Sequence, residues 1–128
     1  MAGLARRIAV ARQAPFQARR LSRNQVEALF VLAHSRPPVT PGSLVAALGV
    51  TAGAVSQLLD SLRTQGLVEV AAHPQDGRSR LLRLTDSARA EIDTFEKQVV
   101  ADLAPIFDEL TTSQLRQLAA LLSRLPLR

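Results

Sequence analysis

The chain has no cysteine, no tryptophan and no tyrosine. Without cysteine, disulfides, thiolate metal sites and thiol-based redox switches are excluded. The two histidines, His34 and His73, stand far apart without a partner at ligand spacing, so we expect no metal and no cofactor. No nucleophile–base set, phosphate-binding glycine loop or carboxylate pair stands at useful spacing, so the sequence argues against an enzyme.

Long hydrophobic runs are also missing, and so is a signal-peptide pattern. No apolar run approaches the roughly 18 residues that a membrane-spanning helix needs. The 128 residues are 47% hydrophobic, which suits one domain with a core of its own. We therefore expect a soluble, cytoplasmic protein that has no membrane partner.

Acidic residues are scarce in the first third of the chain, and Lys97 is the only lysine. Residues 1–39 carry seven arginines against one acidic residue, whereas residues 85–128 carry five basic and seven acidic residues. The whole chain has a net charge of +5 and a pI near 11.4. The excess of basic residues in the N-terminal third favours a polyanion as partner, although charge alone is weak support for one.

Apolar spacing and capping residues predict a series of helices. A first helix runs to about Ala14, where Pro15 interrupts it. A second begins at a capping box formed by Ser22 and Gln25. A third, short helix begins at Thr40, because the proline that follows suits the first helical position.

The next stretch predicts a helix-turn-helix. Gly49 and Val50 make a tight connection, and Thr51 caps a helix that Gly66 ends in the left-handed conformation. Two short helices joined by a brief glycine-containing turn are typical of this motif. The apolar side chains of the second helix follow an i, i+3, i+4, i+7 pattern, at Val55, Leu58, Leu59 and Leu62.

A β-hairpin is predicted directly behind the helix-turn-helix, where it would form a wing. Residues 67–71 have a strand pattern, residues 74–77 are rich in turn residues, and residues 80–84 predict a return strand. A long helix then opens at Thr85, with Asp86 complementing the helix dipole.

The C-terminal part predicts a second long helical segment. Pro105 ends or kinks the helix before it, and Thr111 with Gln114 forms another capping box. The last helix is lined by leucines at spacings like those of a coiled-coil seam, at Leu115, Leu118, Leu122 and Leu125.

The order and spacing of these elements resemble the MarR family of bacterial transcriptional regulators, from about Leu21 to Leu125. In the predicted wing, the family's Asp-x-Arg and the Leu-Thr that follows it are matched by Asp76, Arg78, Leu84 and Thr85. The segments that carry the resemblance are LSRNQVEALFVL, SLVAALGVTAGAVSQLLDSLRTQGLV, DGRSRLLRLT and LTTSQLRQLAALLSRL.

The resemblance implies a mainly α fold with a small β wing, in a single domain over residues 1–128. It places a winged helix-turn-helix lobe at about residues 21–85, between dimerisation helices at about 1–20 and 86–128. It further implies a homodimer that represses genes by binding a pseudo-palindromic operator in double-stranded DNA, often relieved by a small ligand. The chain departs from the family at Gly77, where an arginine is frequent.

The open face of the helix after Thr51 carries polar groups that suit the major groove. Glutamine pairs with adenine, serine with either base edge, and small alanines approach thymine methyls. A merely solvated face would have the same composition, and the resemblance favours DNA. Thr51 and Ser43, at or near helix starts, suit phosphate. The helix residues predicted to face DNA are Ala52, Gly53, Ala54, Ser56, Gln57, Asp60 and Ser61.

In the wing, Arg78 is the candidate for the minor groove, whose negative potential attracts a guanidinium. Asp76 is interpreted as the group that orients this arginine or the turn. Arg80 is a candidate phosphate contact, and so is Arg83, although either residue could simply keep the outer face of the hairpin soluble.

An effector site is a further hypothesis, for a small aromatic or amphipathic ligand. A second apolar set, which includes Phe95 and the leucines of the last helix, could line such a site, but a plain dimer core is the stronger interpretation. The first candidates to frame a ligand pocket are Arg12, Phe16, Phe30 and His34.

A winged-helix module that binds a protein and does not discriminate DNA sequences is the serious alternative. The small side chains at residues 52–54 leave this possibility open. The salt dependence of DNA binding distinguishes the two functions. A phosphate-neutralising regulator loses DNA affinity steeply as salt rises, whereas a protein-binding module should bind DNA little at any salt concentration.

Overall fold

The fold is mainly helical with one two-stranded sheet, as the sequence predicts. A computed structural model describes Gly3, Arg6, Phe16, residues 19–75, Gly77 and residues 79–126. Its elements are α1 Arg23–His34, α2 Pro41–Leu48, α3 Ala52–Thr64, β1 Val68–Ala72, β2 Arg80–Leu84, α4 Asp86–Leu103, a 3-10 turn Ala104–Phe107 and α5 Thr112–Ser123. Most of the predicted first helix, with Pro15, lies outside the described residues.

Four helices begin at the predicted hydroxyl caps. The side chain of Ser22 accepts a hydrogen bond from the amide of Gln25, and the side chain of Gln25 accepts one from the Ser22 backbone amide. Thr40 caps α2 and Thr111 caps α5 with the same reciprocal arrangement, and Thr51 caps α3 with its side chain alone. These caps satisfy backbone amides that the first turn of a helix leaves free, and so set where each helix begins.

Helices α2 and α3 form the predicted helix-turn-helix. Gly49 ends α2 with a φ of 65°, a left-handed conformation that glycine adopts without a Cβ clash. The axes of α2 and α3 make an angle of 113°, which lies within the range typical of this motif. No single described helix has the length and hydropathy to cross a membrane, although α2 and α3 taken together meet those criteria as a bent pair.

Helix α3 ends in a Schellman motif centred on Gly66, which has a φ of 71°. The amide of Gly66 donates to the carbonyl of Arg63, and the amide of Leu67 donates to that of Leu62. Leu62 and Leu67 are both fully buried. Because the motif uses Leu67, the first strand begins at Val68, one residue later than predicted.

The hairpin is antiparallel, with Val68 opposite Leu84 and Ala72 opposite Arg80. Its β2 edge is bridged to the linker before α2, where the amide of Leu82 donates to the carbonyl of Val39 over 2.8 Å. The wing is therefore attached to the helix-turn-helix by a backbone hydrogen bond as well as by side chains.

Thr85 joins the base of the hairpin to the end of α3. Its hydroxyl donates to the carbonyl of Gly66 over 2.8 Å, and its amide donates to the carbonyl of Leu67. The same hydroxyl accepts from the amide of Ala88 in the first turn of α4. One side chain thus contacts the end of α3 and the start of α4.

The chain divides into two compact units, one up to Phe95 and one from Glu96 onwards. The first has a continuous apolar core in which the inner side of α3 packs with α1, α2, the hairpin and the start of α4. Its buried residues are Phe16, Ala28, Leu29, Leu32, Val39, Leu44, Val55, Leu58, Leu59, Leu62, Leu67, Val68, Leu82, Leu84, Ala88 and Ile92. In the second unit, none of the described residues is buried.

Candidate nucleic-acid interface

The side of α3 that faces away from the core presents small and polar groups. Six predicted residues of this face are exposed, while the four apolar residues of the opposite face are buried. The face therefore consists of groups that can donate to, accept from or approach a partner closely. The exposed six are Ala52, Gly53, Ala54, Ser56, Gln57 and Asp60.

Ser61 differs from the other predicted residues of α3. It is half-buried, and its Oγ accepts hydrogen bonds from Nε2 of Gln25 at 2.9 Å and from Nε2 of Gln65 at 3.2 Å. The helical projection placed Ser61 on the open face, but the start of α1 lies beside it. The hydroxyl is thus used inside the protein, and we leave Ser61 out of the proposed DNA contacts.

The two predicted phosphate contacts at helix starts are exposed hydroxyls. Thr51 Oγ1 accepts from the amide of Ala54 over 3.1 Å. Ser43 belongs to the capping box of α2, and its hydroxyl lies 3.0 Å from that of Thr40. Each hydroxyl lies at the start of a helix, where the positive end of the helix dipole is a favourable environment for an anion.

The arginines of the wing are not equivalent. Arg83 pairs with Glu69, its direct neighbour across the sheet, at 2.7 Å. Arg80 is exposed, and it forms no ion pair within the described part of the chain. Asp76 and Arg78, predicted at the tip, lie outside the described residues.

A shallow groove of about 80 Å³ runs between α3 and the wing. Arg63, which was not among the residues predicted from the sequence, lines this groove together with Asp60 and Arg80. Its position seven residues after Ser56 puts both on one side of α3, and that spacing would have indicated it. The groove is lined by Pro41, Ala52, Ser56, Leu59, Asp60, Arg63, Val70, Arg80 and Leu82.

Three of the five residues predicted to bind an effector lie together. The rings of Phe30 and His34 are stacked with centroids 6.4 Å apart, and Phe95 meets Phe30 at 5.8 Å with a 60° tilt. These are ordinary geometries for aromatic pairs. Phe16 belongs to the core, at 2% exposure, and Arg12 lies outside the described residues.

A metal site is not present in the described part of the chain, where no three histidine, aspartate or glutamate side chains cluster. The polar groups of the first unit are instead distributed along the outer side of α3 and the wing. This arrangement suits an extended partner better than a small enclosed one.

Comparison with known proteins agrees with this architecture. The MarR family model matches residues 21–79, from two residues before α1 to the residue before β2. The chain is 26% identical over 105 residues to YdgJ of Bacillus subtilis, an uncharacterized HTH-type transcriptional regulator. That match covers 82% of this chain but 63% of YdgJ, so the chain spans less than two thirds of this relative.

Solved structures share the fold over nearly the whole chain. A mutant of MepR from a multidrug-resistant S. aureus clinical isolate aligns with a TM-score of 0.83 at 20% identity, covering 96% of this chain and 89% of MepR. A second MepR mutant, solved bound to an oligodeoxyribonucleotide, gives 0.67 at 23% identity, covering 94% and 87%. Apo wild-type MarR from E. coli gives 0.63 at 26% identity, covering 89% and 84%.

Proposed function

The chain belongs to the MarR family, and from this premise we propose that it is a homodimeric repressor that binds a pseudo-palindromic operator in double-stranded DNA in the cytoplasm. The observation that carries the proposal is the outer side of α3, where every exposed group suits a base edge or a sugar-phosphate chain. Membership of a family of regulators favours this function over an enzymatic one.

Helix α3 is the proposed recognition helix. Gln57 is proposed to pair with adenine, since its side-chain amide can donate one hydrogen bond and accept another from the same base. Asp60 accepts from a cytosine amino group, because a carboxylate is repelled by phosphate. The small residues 52–54 let the first turn of α3 approach the floor of the major groove closely.

The phosphate contacts come from around the recognition helix. Ser43 and Thr51 offer hydroxyls at two helix starts, and Arg80 and Arg63 offer guanidinium groups along the groove beside the wing. Arg78 remains the proposed minor-groove contact on sequence grounds, with Asp76 orienting it.

The second unit is the proposed dimer interface. Seven large apolar side chains of its described residues are exposed, and a cluster of exposed apolar groups is typical of an interaction site. A two-fold dimer would present two copies of α3 to two half-sites of DNA. The exposed residues are Val100, Ile106, Leu110, Leu115, Leu121, Leu122 and Leu125.

Relief of repression by a small aromatic or amphipathic ligand is the finer part of the proposal. It is supported by the contacts among Phe30, His34 and Phe95, which place two apolar rings beside an imidazole. Phe30 and Phe95 are half-buried and His34 is exposed, so a ligand could reach this cluster from solvent.

Fluorescence anisotropy against DNA tests the proposal. Wild type is titrated with the duplex upstream of its own gene at several salt concentrations. We expect the affinity to fall steeply with salt, as it does when several phosphates are neutralised. Weak binding at every salt concentration would contradict DNA binding and favour a protein-interaction module.

Two classes of variant separate electrostatic contacts, at phosphate or in the minor groove, from contacts to base edges in the major groove. Arg80→Ala and Arg78→Ala should weaken binding to all duplexes, with the salt slope reduced by about 1. Gln57→Ala should change which bases are preferred, at a cost of about 1–3 kcal/mol at one position. Full affinity in all three variants would remove these residues from the interface.

A further inference from the structure

We propose that Gln25 is a positioning residue for DNA recognition: it holds the recognition helix α3 against α1 through Ser61, and so determines how well α3 discriminates base sequence. The inference rests on the proposed DNA binding. Gln25 lies at the start of α1, outside the residues proposed to contact DNA, and acts through its hydrogen bond to α3.

Both ends of the Gln25 amide are used. Its Oε1 accepts from the backbone amide of Ser22 at 2.7 Å, and its Nε2 donates to Ser61 Oγ at 2.9 Å. The first bond fixes the side chain at the start of α1, and the second reaches a residue 36 positions later. The glutamine therefore joins the first turn of α1 to the C-terminal half of α3.

Ser61 has the capacity to accept both of its donors. A hydroxyl oxygen carries two lone pairs, and Ser61 Oγ receives Nε2 of Gln25 and Nε2 of Gln65. The Gln65 bond stays within the end of α3, four residues away, whereas the Gln25 bond crosses between helices. One serine thus offers an inter-helix bond and a local bond of the same chemical type.

The Gln25 bond adds direction to an otherwise apolar contact. The core shared by α1 and α3 consists of aliphatic side chains, and apolar packing is not directional. A hydrogen bond near 2.9 Å specifies both a distance and an angle. It opposes rotation of α3 about its own axis and sliding of α3 along α1.

This hydrogen bond bears on base recognition because it fixes the position of the α3 side chains that are proposed to contact DNA bases. Recognition groups must be held within about 0.5 Å and about 10–20° of their productive geometry. Ser61 follows Asp60 directly and lies one helical turn after Gln57, so a displacement at Ser61 moves both proposed base contacts. Phosphate contacts at Ser43 and Arg80 come from other elements, and they should respond less.

The experiment compares two DNA probes. Wild-type full-length chain first selects a duplex from a random-sequence pool, and a duplex of equal length and shuffled sequence is the second probe. Anisotropy gives the ratio of the two affinities and the salt slope for each variant, and thermal unfolding gives its stability. The tested variants are Gln25→Ala, Ser61→Ala, the double variant and Ser61→Thr.

Two control variants isolate the inter-helix bond. Gln65→Ala removes a glutamine donor from the same Ser61 oxygen without affecting α1. Ser22→Ala removes the hydroxyl cap of α1 but leaves its backbone amide, and so leaves the Gln25 side chain held. Both controls should keep the wild-type affinity ratio.

We expect Gln25→Ala and Ser61→Ala each to lower the affinity ratio roughly 2- to 30-fold, the range of a coupling between neighbouring elements. Affinity for the shuffled duplex and the salt slope should stay within about twofold, because phosphate contacts are retained. The double variant should lose no more than either single variant, since both remove one interaction. Ser61→Thr, which keeps the hydroxyl, should retain the ratio.

Three results would overturn the inference. A lower ratio in Ser61→Ala with a wild-type ratio in Gln25→Ala would make Ser61 a direct DNA contact. A lower melting temperature with an unchanged ratio in both variants would make the bond purely structural. If wild type enriches no duplex, the proposed function fails, and the inference with it.

Discussion

The two units of the chain have helices with similar apolar sequence patterns, but these apolar residues are buried in the first unit and exposed in the second. In α3, leucines and a valine at helical spacing are buried, and Leu62 has no exposed surface. In α5, leucines at comparable spacing stay in contact with solvent, and Leu121 is 60% exposed. An apolar stripe therefore indicates that a helix packs against something, but it does not identify the partner.

The difference separates a unit that has its own apolar core from a unit whose described residues form none. The unit up to Phe95 has a core to which α1, α2, α3, the hairpin and the start of α4 contribute, and this core positions the outer side of α3. The unit from Glu96 has no buried residue in its described part, so burying its leucines requires another surface. We infer that a second copy of this chain provides that surface.

The same substitution made in both units gives the largest expected contrast. Leu62→Ala should lower the free energy of unfolding by about 2–5 kcal/mol, because it leaves a cavity in the core. Leu122→Ala should act through the dimer, so its effect should depend on protein concentration. Chemical denaturation at two protein concentrations measures both. An equal, concentration-independent loss in the two variants would contradict the comparison.

A charge placed among the exposed leucines of α5 should break the proposed dimer. Leu121→Glu should weaken self-association by about 100-fold or more, because a carboxylate buried without a partner is strongly unfavourable. Ser123→Glu, which introduces the same charge at an exposed polar position on the other side of α5, should leave it intact. Sedimentation velocity distinguishes the two. A Leu121→Glu variant with unchanged mass would show that the dimer lies elsewhere.

Within the first unit, a substitution in the turn after α3 should have an intermediate effect on the free energy of unfolding. Gly66→Ala forces a Cβ into a left-handed residue and should destabilise by about 1–2 kcal/mol, although nothing lies within 4 Å of the added atom. Gly42→Ala is the matched control, since Gly42 is helical and alanine should stabilise there. Thermal unfolding checks both, and a neutral Gly66→Ala would show that the turn relaxes.

The smallest effect is expected on the outer face of the wing. Arg83 and Glu69 form an ion pair, but their side chains are 76% and 49% exposed. A double-mutant cycle with alanine should give a coupling of about 0.2–1 kcal/mol that decreases as salt rises. Urea unfolding of the four proteins measures it. A larger coupling that is indifferent to salt would mean that the pair is shielded from solvent.

Local chemistry explains which parts of the fold were predictable. Helix starts at Ser22, Thr40, Thr51 and Thr111 agree with the sequence prediction, because a cap depends on residues only three positions apart. Strand β2 matches its predicted bounds, since turn residues precede it and Thr85 follows it. Each of these predictions needs only near neighbours in sequence.

The candidate site was predictable only in part, because distant contacts carry no sequence pattern. The outer side of α3 follows from helical periodicity, and six of its seven predicted residues are exposed. Ser61 was misplaced because its partner, Gln25, lies 36 residues away. Arg63 was missed although its spacing from Ser56 puts it on the same side of α3, whereas only the fold brings Arg80 to the same groove.

The Thr85 hydroxyl has a consequence for how the wing can evolve. It holds the two ends of the hairpin together at Gly66, on the side away from the tip. The segment between Ala72 and Arg80 can therefore gain or lose residues without moving the end of α3 or the start of α4. In the proposed DNA complex, insertions and deletions in this segment would adjust how far the wing reaches into the minor groove without changing the position of α3.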